Sequence, residues 1–254
     1  MSRDLEELAS KGVHDKVFEV VTRLPGNRVL DVPVGPGALT RRFLEAGKTV
    51  TAGDIDLEVF RLARGESIPN FELVKMDLTA SEIPLKNGFY DIAVCVEGIE
   101  HLENQWNLVR NLNRALAPGG HLVLTTPNIL NFTSRFRYFT EGCYDHFKRP
   151  LVVGKSIASD MDTYHIAPIS YFEMQFILGT LGFEILNLYA NWYKFRNPLT
   201  RALHPLFHLS YLYKNYRDKK RGRGDFLWMY KLALSDELFY GDTLIVLAKK
   251  LRDC

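Results

Sequence analysis

A chain of 254 residues, 46% apolar and 24% charged, holds enough apolar material for one sizeable α/β core. Its formal net charge of +2 is too near balance to indicate nucleic acid by itself, and Cys95, Cys143 and Cys254 show neither metal nor disulfide spacing. No apolar run reaches the ~20 residues of a membrane span, and MSRDLEELASKG at the start lacks the apolar centre of a secretory leader, so a cytoplasmic setting is expected.

Leu5, Leu8, Val13, Val17, Val20, Val21 and Leu24 recur at helical spacing and predict a helix over 3–23, stopped by Pro25-Gly26. The stretch RVLDVPVGPGALTRRFLEAGKTVTAGDID, residues 28–56, comes next. It reads as an apolar strand over 29–32, a turn through Pro33, Gly35 and Gly37, an amphipathic helix and a second strand ending at Asp54. Asp56 is placed to cap a short helix over 57–64. Phe71–Lys75 alternates like a strand and leads into Met76, Asp77 and Leu78. Tyr90–Val96 is a continuous apolar strand of the kind buried on both faces of a parallel sheet, with Cys95 in the core. A tight segment over 97–102, a helix over 105–117, a Pro118-Gly119-Gly120 turn and a strand over 121–126 follow. Beyond them the pattern predicts a helix over 129–140, a loop over 141–163 and a helix over 169–181 between a Ser170 cap and Gly182. Strands are expected at Phe183–Ala190 and Asp242–Ala248, and the apolar run Leu199–Tyr213 is interrupted by Pro205.

This alternation predicts an α/β chain with a doubly wound, Rossmann-like sheet. The sheet is mostly parallel with an antiparallel last strand, and a helical insertion precedes that strand. The simplest organisation is one domain over 1–254, with a cofactor-binding core at 28–128, an acceptor-side region at 129–190 and a basic, aromatic insertion at 192–240.

A strand, a Gly-rich turn, a helix, a strand and an acid suit a ribose-bearing cofactor lying over the carboxyl ends of parallel strands. Asp54 is then placed to accept the ribose hydroxyls, against the alternative of a surface turn acid. Asp31, near the glycines, is placed to pin the turn by accepting backbone N–H groups, and Asp77 either contacts the base or caps a turn. In Glu97-x-x-Glu100-His101, a helical turn would set all three side chains on one side. Three uses remain open for that arrangement. The group holds a divalent cation, or His101 acts as general base without one, or Glu97 contacts the cofactor while His101 braces the loop.

Five segments in this order resemble the motifs of class I S-adenosylmethionine-dependent methyltransferases. They are LDVPVGPG from Leu30, Val50–Asp56, Met76–Leu78, Tyr90–Leu102 and LAPGGHL from Leu116. The resemblance covers about residues 12–128 closely, and 166–190 with 242–250 more loosely. It implies S-adenosylmethionine as cofactor, held by Asp31, Pro33, Gly35, Gly37, Asp54, Ile55, Met76, Asp77, Leu78 and Glu97. Pro33 stands where the family has glycine and removes one backbone donor. The rival dehydrogenase reading needs a third glycine where this chain has Thr40.

The E-x-x-E-H loop is similar to that of ubiquinone-pathway O-methyltransferases and of small-RNA terminal 2′-O-methyltransferases. That likeness implies Glu100 and His101 as catalytic residues and a Mg²⁺ site of Glu97, Glu100, His101 and His165, with His146 behind His165. Thr125–Gly142 and Tyr164–Phe183 resemble bacterial methyltransferases of cell-surface saccharide or lipid-linked glycan pathways. The implied reaction is methylation of a hydroxyl on a saccharide or lipid-linked acceptor. A quinone-type small molecule or an RNA is the alternative, and a non-catalytic S-adenosylmethionine-binding scaffold is the reading from another class. Asn128 is placed to orient substrate. Arg135, Arg137, Lys148 and Arg149 either bind an anionic acceptor group or form a solvated face. The segment 192–224 sets nine cations against Asp218 among interleaved aromatics. A lid or homodimer helix is its first reading, peripheral contact with an anionic membrane its second and RNA its third.

Overall fold

The computed structural model describes residues 7–60, 68–147 and 165–254. Seven strands form one sheet in the order β3-β2-β1-β4-β5-β7-β6. They are β1 (Arg28–Asp31), β2 (Thr49–Asp54), β3 (Phe71–Lys75), β4 (Tyr90–Cys95), β5 (Leu116–Pro127), β6 (Phe183–Ala190) and β7 (Thr243–Lys250). The pairs from β3 to β5 are parallel, while β7 runs antiparallel between β5 and β6. Strand order reverses between β1 and β4, the switch point where open α/β sheets leave a crevice at their carboxyl ends.

Alternate side chains of each central strand enter two different cores, as a pleat with period two requires. Leu30, Ala93, Cys95, Leu244 and Val246 face one side. There they meet α3 (Gln105–Ala115) and α5 (Tyr171–Thr180) through Leu108, Leu112, Met174 and Leu178. Val29, Ile92, Val94 and Ile245 face the other, against Val17 and Val21 of α1 (Val13–Thr22) and Phe43 of α2 (Ala38–Glu45). The central strands are thus buried on both faces, which fixes the position of their carboxyl ends.

Several boundaries differ from expectation. The first helix starts at Val13, because Gly12 adopts φ 77° and breaks the helical path before it. Leu8 is 65% exposed, and Leu5 lies outside the described residues. The helix expected over 57–64 is a 3₁₀ turn at Leu57–Val59, capped by Asp56 accepting from Glu58 N at 2.9 Å; residues 61–67 lie outside the described ones. Of the loop expected over 141–163, residues 148–163 lie outside them too, while α4 (Phe132–Glu141) precedes it. Ser170 forms a reciprocal capping box with Glu173, and Gly182 at φ 81° ends α5.

Pro205 does not break its segment. Helix α6 runs unbroken from Pro198 to Lys220, started by an Asn197–Thr200 capping box with proline at its first position. The lost backbone bond is offset by packing: His204 and Phe207 meet Phe239 of α8 (Asp236–Tyr240), and Tyr211 stacks on Tyr230 of α7 (Leu227–Leu232).

Candidate active site

The carboxyl ends of β1, β2 and β3 build the first half of the site. Gly35 and Gly37 hold φ 52° and 91°, a left-handed backbone that a side chain would strain. Gly35 N donates to Asp54 Oδ2 at 3.0 Å, and Val34 N donates to Gly53 O at 2.9 Å. The turn is thereby stitched to the end of β2. Asp54 Oδ1 also accepts from Asp56 N at 3.3 Å, and each carboxylate oxygen keeps a further lone pair. Ile55, 46% exposed, stands beside it. Met76 is buried under Gly53, where a Cβ would come within 2.4 Å of its sulfur, so the strand end lies flat on the thioether. Leu78 packs against the core. Asp77 Oδ1 accepts from Thr79 N at 2.8 Å and Thr79 Oγ1 at 2.6 Å, a turn cap in which Oδ2 takes no part.

Asp31 is buried and accepts from Thr40 Oγ1 at 2.6 Å. The partner is thus a hydroxyl from the next helix rather than the backbone donors expected. Burial pushes the Asp31 carboxyl up to about 7; the Thr40 bond opposes the rise and the Asp54 charge adds to it. The Val32–Pro33 peptide is cis, and a Cβ on Gly98 would approach Pro33 Cδ to 2.6 Å. Pro33 therefore packs directly on the loop after β4 and joins the two halves of the site.

In that loop the expected single helical face does not form. Glu97 has a left-handed φ of 45°, and helical geometry spans only Ile99–His101. Glu97 N is held by Thr125 Oγ1 at 2.9 Å, while its carboxylate turns away to accept from Ser10 N at 3.1 Å and Thr243 Oγ1 at 3.3 Å. Glu97 is thus not brought into the metal group proposed for it. Glu100, His101 and His165 do converge, with ligand atoms within 4.8 Å of one another and imidazole centroids 4.8 Å apart. Ile166 N and Ala167 N both donate to Glu100 O, which brings His165 to the loop.

Glu100 is fully buried and neither carboxylate oxygen completes a hydrogen bond among the described residues, although the Thr126 hydroxyl, itself buried without a partner, lies beside it and opposes the rise of its pKa; His165 Nδ1 is likewise without a partner. Burial pushes the Glu100 carboxyl up to about 8, and the nearby Glu97 charge adds to this. Burial likewise takes the His165 imidazole down to about 4, with the charges of His101 and His146 acting in the same direction. These orphaned atoms fit a ligand or a proton that arrives with the reaction.

His146 does not back His165 as a metal ligand. It belongs to a second group in which Lys194 supplies the cation. Lys194 Nζ contacts Asp242 Oδ1, lies 2.9 Å from Asp145 Oδ2 and is 3.0 Å from His146 Nε2. His146 Nε2 is 2.8 Å from Asp242 Oδ1, and Trp192 Nε1 donates to Asp242 Oδ2 at 3.0 Å. Burial alone would raise the Asp242 carboxyl, yet the bonds from His146 and Lys194 bring it down to about 2. This brace ties the start of the insertion to β7, and nothing in the spacing of Asp145, Lys194 and Asp242 announces it.

Asn128 does not face a substrate. Its Nδ2 donates to Glu237 O, Leu238 O and Gly241 O, and its Oδ1 accepts from Leu130 N. Arg135 binds Tyr211 and Ala233 O, and Arg137 pairs with Glu141 and Asp145. Both serve packing, and Lys148 and Arg149 lie outside the described residues. Between α3 and α5 opens a cleft of about 410 Å³, lined by Trp106, Phe172, Phe176 and Ile177. Gln105 on its wall donates to Ile99 O and Ala167 O, so the cleft adjoins the two loops that carry His101 and His165.

Residues 30–124 match the family Methyltransf_11, a methyltransferase domain. The chain is 28% identical over 169 residues to a ubiquinone biosynthesis O-methyltransferase of Vibrio parahaemolyticus, covering 61% of this chain and 72% of that one. It is 34% identical over 110 residues to a ubiquinone biosynthesis O-methyltransferase of Xanthomonas campestris, covering 41% of this chain and 45% of that one. A ubiquinone/menaquinone biosynthesis C-methyltransferase of Ectopseudomonas mendocina is 30% identical over 151 residues, with 55% and 56% covered. Among solved structures, a SAM-dependent methyltransferase from Archaeoglobus fulgidus superposes with a TM-score of 0.59 at 17% identity, covering 94% of this chain and 93% of that one. That likeness concerns the fold. The dehydrogenase and scaffold alternatives find no counterpart in these relatives. The match running from β1 to β5 identifies residues 30–124 as a methyltransferase domain, and the sheet that holds it has the class I S-adenosylmethionine-dependent methyltransferase architecture.

Proposed function

We propose that the chain methylates a hydroxyl of a quinone-type small-molecule acceptor, with His101 taking the hydroxyl proton. One observation carries this reading: the buried, unpartnered carboxylate of Glu100 converges with His101 and His165 at the end of β4. S-adenosylmethionine, when bound, supplies a methyl group already activated on a sulfonium. The residues then need only orient the acceptor oxygen, exclude water and accept one proton. Transfer would exchange the sulfur–methyl bond for an oxygen–methyl bond, leaving a neutral thioether, and the hydroxyl proton would pass to the His101 imidazole. The positive charge that appears there favours ionisation of Glu100, which burial otherwise keeps protonated near neutral pH. His165, which burial holds neutral, can share the proton by hydrogen bonding.

Asp54 and the Gly35–Gly37 turn are assigned to the ribose, and Asp31, braced by Thr40, to the methionine end. Ile55, Met76, Asp77 and Leu78 are assigned to the adenine side. The quinone-type acceptor is preferred over a saccharide because relatives with long alignments bear ubiquinone-pathway names, and because the cleft between α3 and α5 is lined mostly by apolar side chains. A lipid-linked acceptor is the second reading, favoured by exposed Phe136 and Phe139 on α4.

The orphaned atoms of Glu100 and His165 also fit a divalent cation, with His101 as third ligand. One carboxylate and two imidazoles suit a transition-series ion better than Mg²⁺, which takes oxygen ligands, so the magnesium expectation gives way on donor chemistry. Bound there, such an ion would lower the pKa of the acceptor hydroxyl. Incubation with labelled S-adenosylmethionine and separate panels of phenols, catechols and saccharides tests the acceptor class. Label is expected in phenolic or catecholic oxygen; label confined to saccharides would refute the assignment, and transfer abolished by exhaustive chelation would move the proton step to the metal.

A further inference from the structure

Helix α6 has two opposite faces. Thr200, His204, Phe207, Tyr211, Asn215 and Asp218 recur at spacings of three and four and turn inward. They meet Phe239, Tyr230 and the Asp225–Phe226 turn. Leu206, Leu209, Tyr213 and Tyr216 recur at the same spacings and are 62–65% exposed. At ~100° per residue the centres of the two rows stand about half a turn apart. The outer row is therefore what remains apolar after the inner row has packed. It is roughly 15 Å long at 1.5 Å per residue.

The charge is placed to match. Lys214, Arg217, Lys219, Lys220, Arg221 and Arg223 crowd the end of this helix and the turn after it. Two of them are neutralised locally, Lys219 by Asp225 at 2.6 Å and Arg223 by Asp218 at 3.7 Å. Arg217, Lys220 and Arg221 form no salt bridge among the described residues. Segment 192–224 carries a net charge of +8, while the whole chain carries +2, so the rest is net acidic. Positive charge is thus concentrated at the end of the one long helix that leaves an apolar row uncovered. No described helix is long and apolar enough to cross a membrane.

We propose that the outer face of α6 is a peripheral seat for an anionic lipid bilayer, with Leu206, Leu209, Tyr213 and Tyr216 entering the headgroup–acyl boundary and the basic end resting on lipid phosphates. An apolar row flanked by free cations is the combination that interfacial helices use, each signal being weak alone. An RNA groove would instead spread its cations along the stacking aromatics, whereas here they gather at one end. The assignment is independent of the acceptor.

Flotation of the full chain with vesicles tests it. Binding is expected to vesicles of phosphatidylcholine mixed with phosphatidylglycerol, to be weak on phosphatidylcholine alone, and to fall as salt is raised. Lys220→Ala with Arg221→Ala should weaken it about twenty-five-fold, roughly fivefold per cation. Leu206→Ser with Leu209→Ser should abolish it. Far-UV circular dichroism and S-adenosylmethionine affinity should stay as in the parent chain for both. Failure of the parent chain to float on anionic vesicles overturns the proposal, as does flotation unchanged in both variants. A concentration-dependent dimer in sedimentation that the leucine variant dissociates, without lipid binding, would assign the face to a second copy. Binding of mixed-sequence RNA without lipid binding would assign it to nucleic acid.

Discussion

Two groups of carboxylate and imidazole stand at the same end of the sheet, and an ammonium separates their characters. Around Asp242, Lys194 contributes the positive charge that Asp145 and Asp242 require, and His146 and Trp192 complete the shell. Around Glu100 no such cation exists among the described residues, and the carboxylate is buried without a partner. The same residue types therefore act as a finished brace in one place and an open site in the other. Residue type at suggestive spacing is thus poor evidence of chemistry; satisfied or unsatisfied polar atoms separate the two.

The comparison is most easily broken at Lys194. Replacement by Met leaves Asp145 to Arg137 and the buried Asp242 to His146 alone, and stability is expected to fall by about 3 kcal/mol in urea unfolding. A variant as stable as the parent would show that the brace is not one. Glu100→Gln should do the opposite and raise stability at alkaline pH. Its carboxyl titrates higher in the folded than in the unfolded chain, so the folded state binds the extra proton between about 4.5 and 8. Stability from this group is full below that window and is lost as pH rises through it, to a ceiling on the order of 5 kcal/mol. The Gln variant should flatten this limb, and an unchanged profile would remove Glu100 as its cause. Asp242 works in the reverse sense: its contribution is present above pH ~4 and lost as pH falls toward 2. Asp54→Ala should weaken S-adenosylmethionine binding by about 1.5–3 kcal/mol in calorimetry, the range for a hydrogen bond to a charged group. Unaltered affinity would detach Asp54 from the ribose.

The sheet was legible where apolar alternation is bounded by strong punctuation. Phe71–Lys75 and Phe183–Ala190 are strands to the residue, and Ser170 and Gly182 bracket their helix. The acids at the ends of β1, β2 and β3 were legible because position along a strand fixes their place. The loop after β4 was only half legible. Spacing alone grouped Glu97 with Glu100 and His101, and it could not show the left-handed Glu97 that sends its carboxylate to Ser10 and Thr243. The brace was not legible at all, since Lys194 meets residues 49 and 48 positions away. Pro205 misled for the same reason: tertiary contacts of α6 outweigh a local breaker.

On the proposed function, the Glu100 group carries proton transfer, while Asp54 and the Gly35–Gly37 turn only bind the cofactor. Single-turnover methyl transfer in His101→Ala, measured beside calorimetric S-adenosylmethionine affinity in the same variant, tests it most directly. Transfer should fall on the order of 10²–10⁴-fold with affinity unchanged. Undiminished transfer, or a loss matched by an equal loss of cofactor affinity, would contradict it.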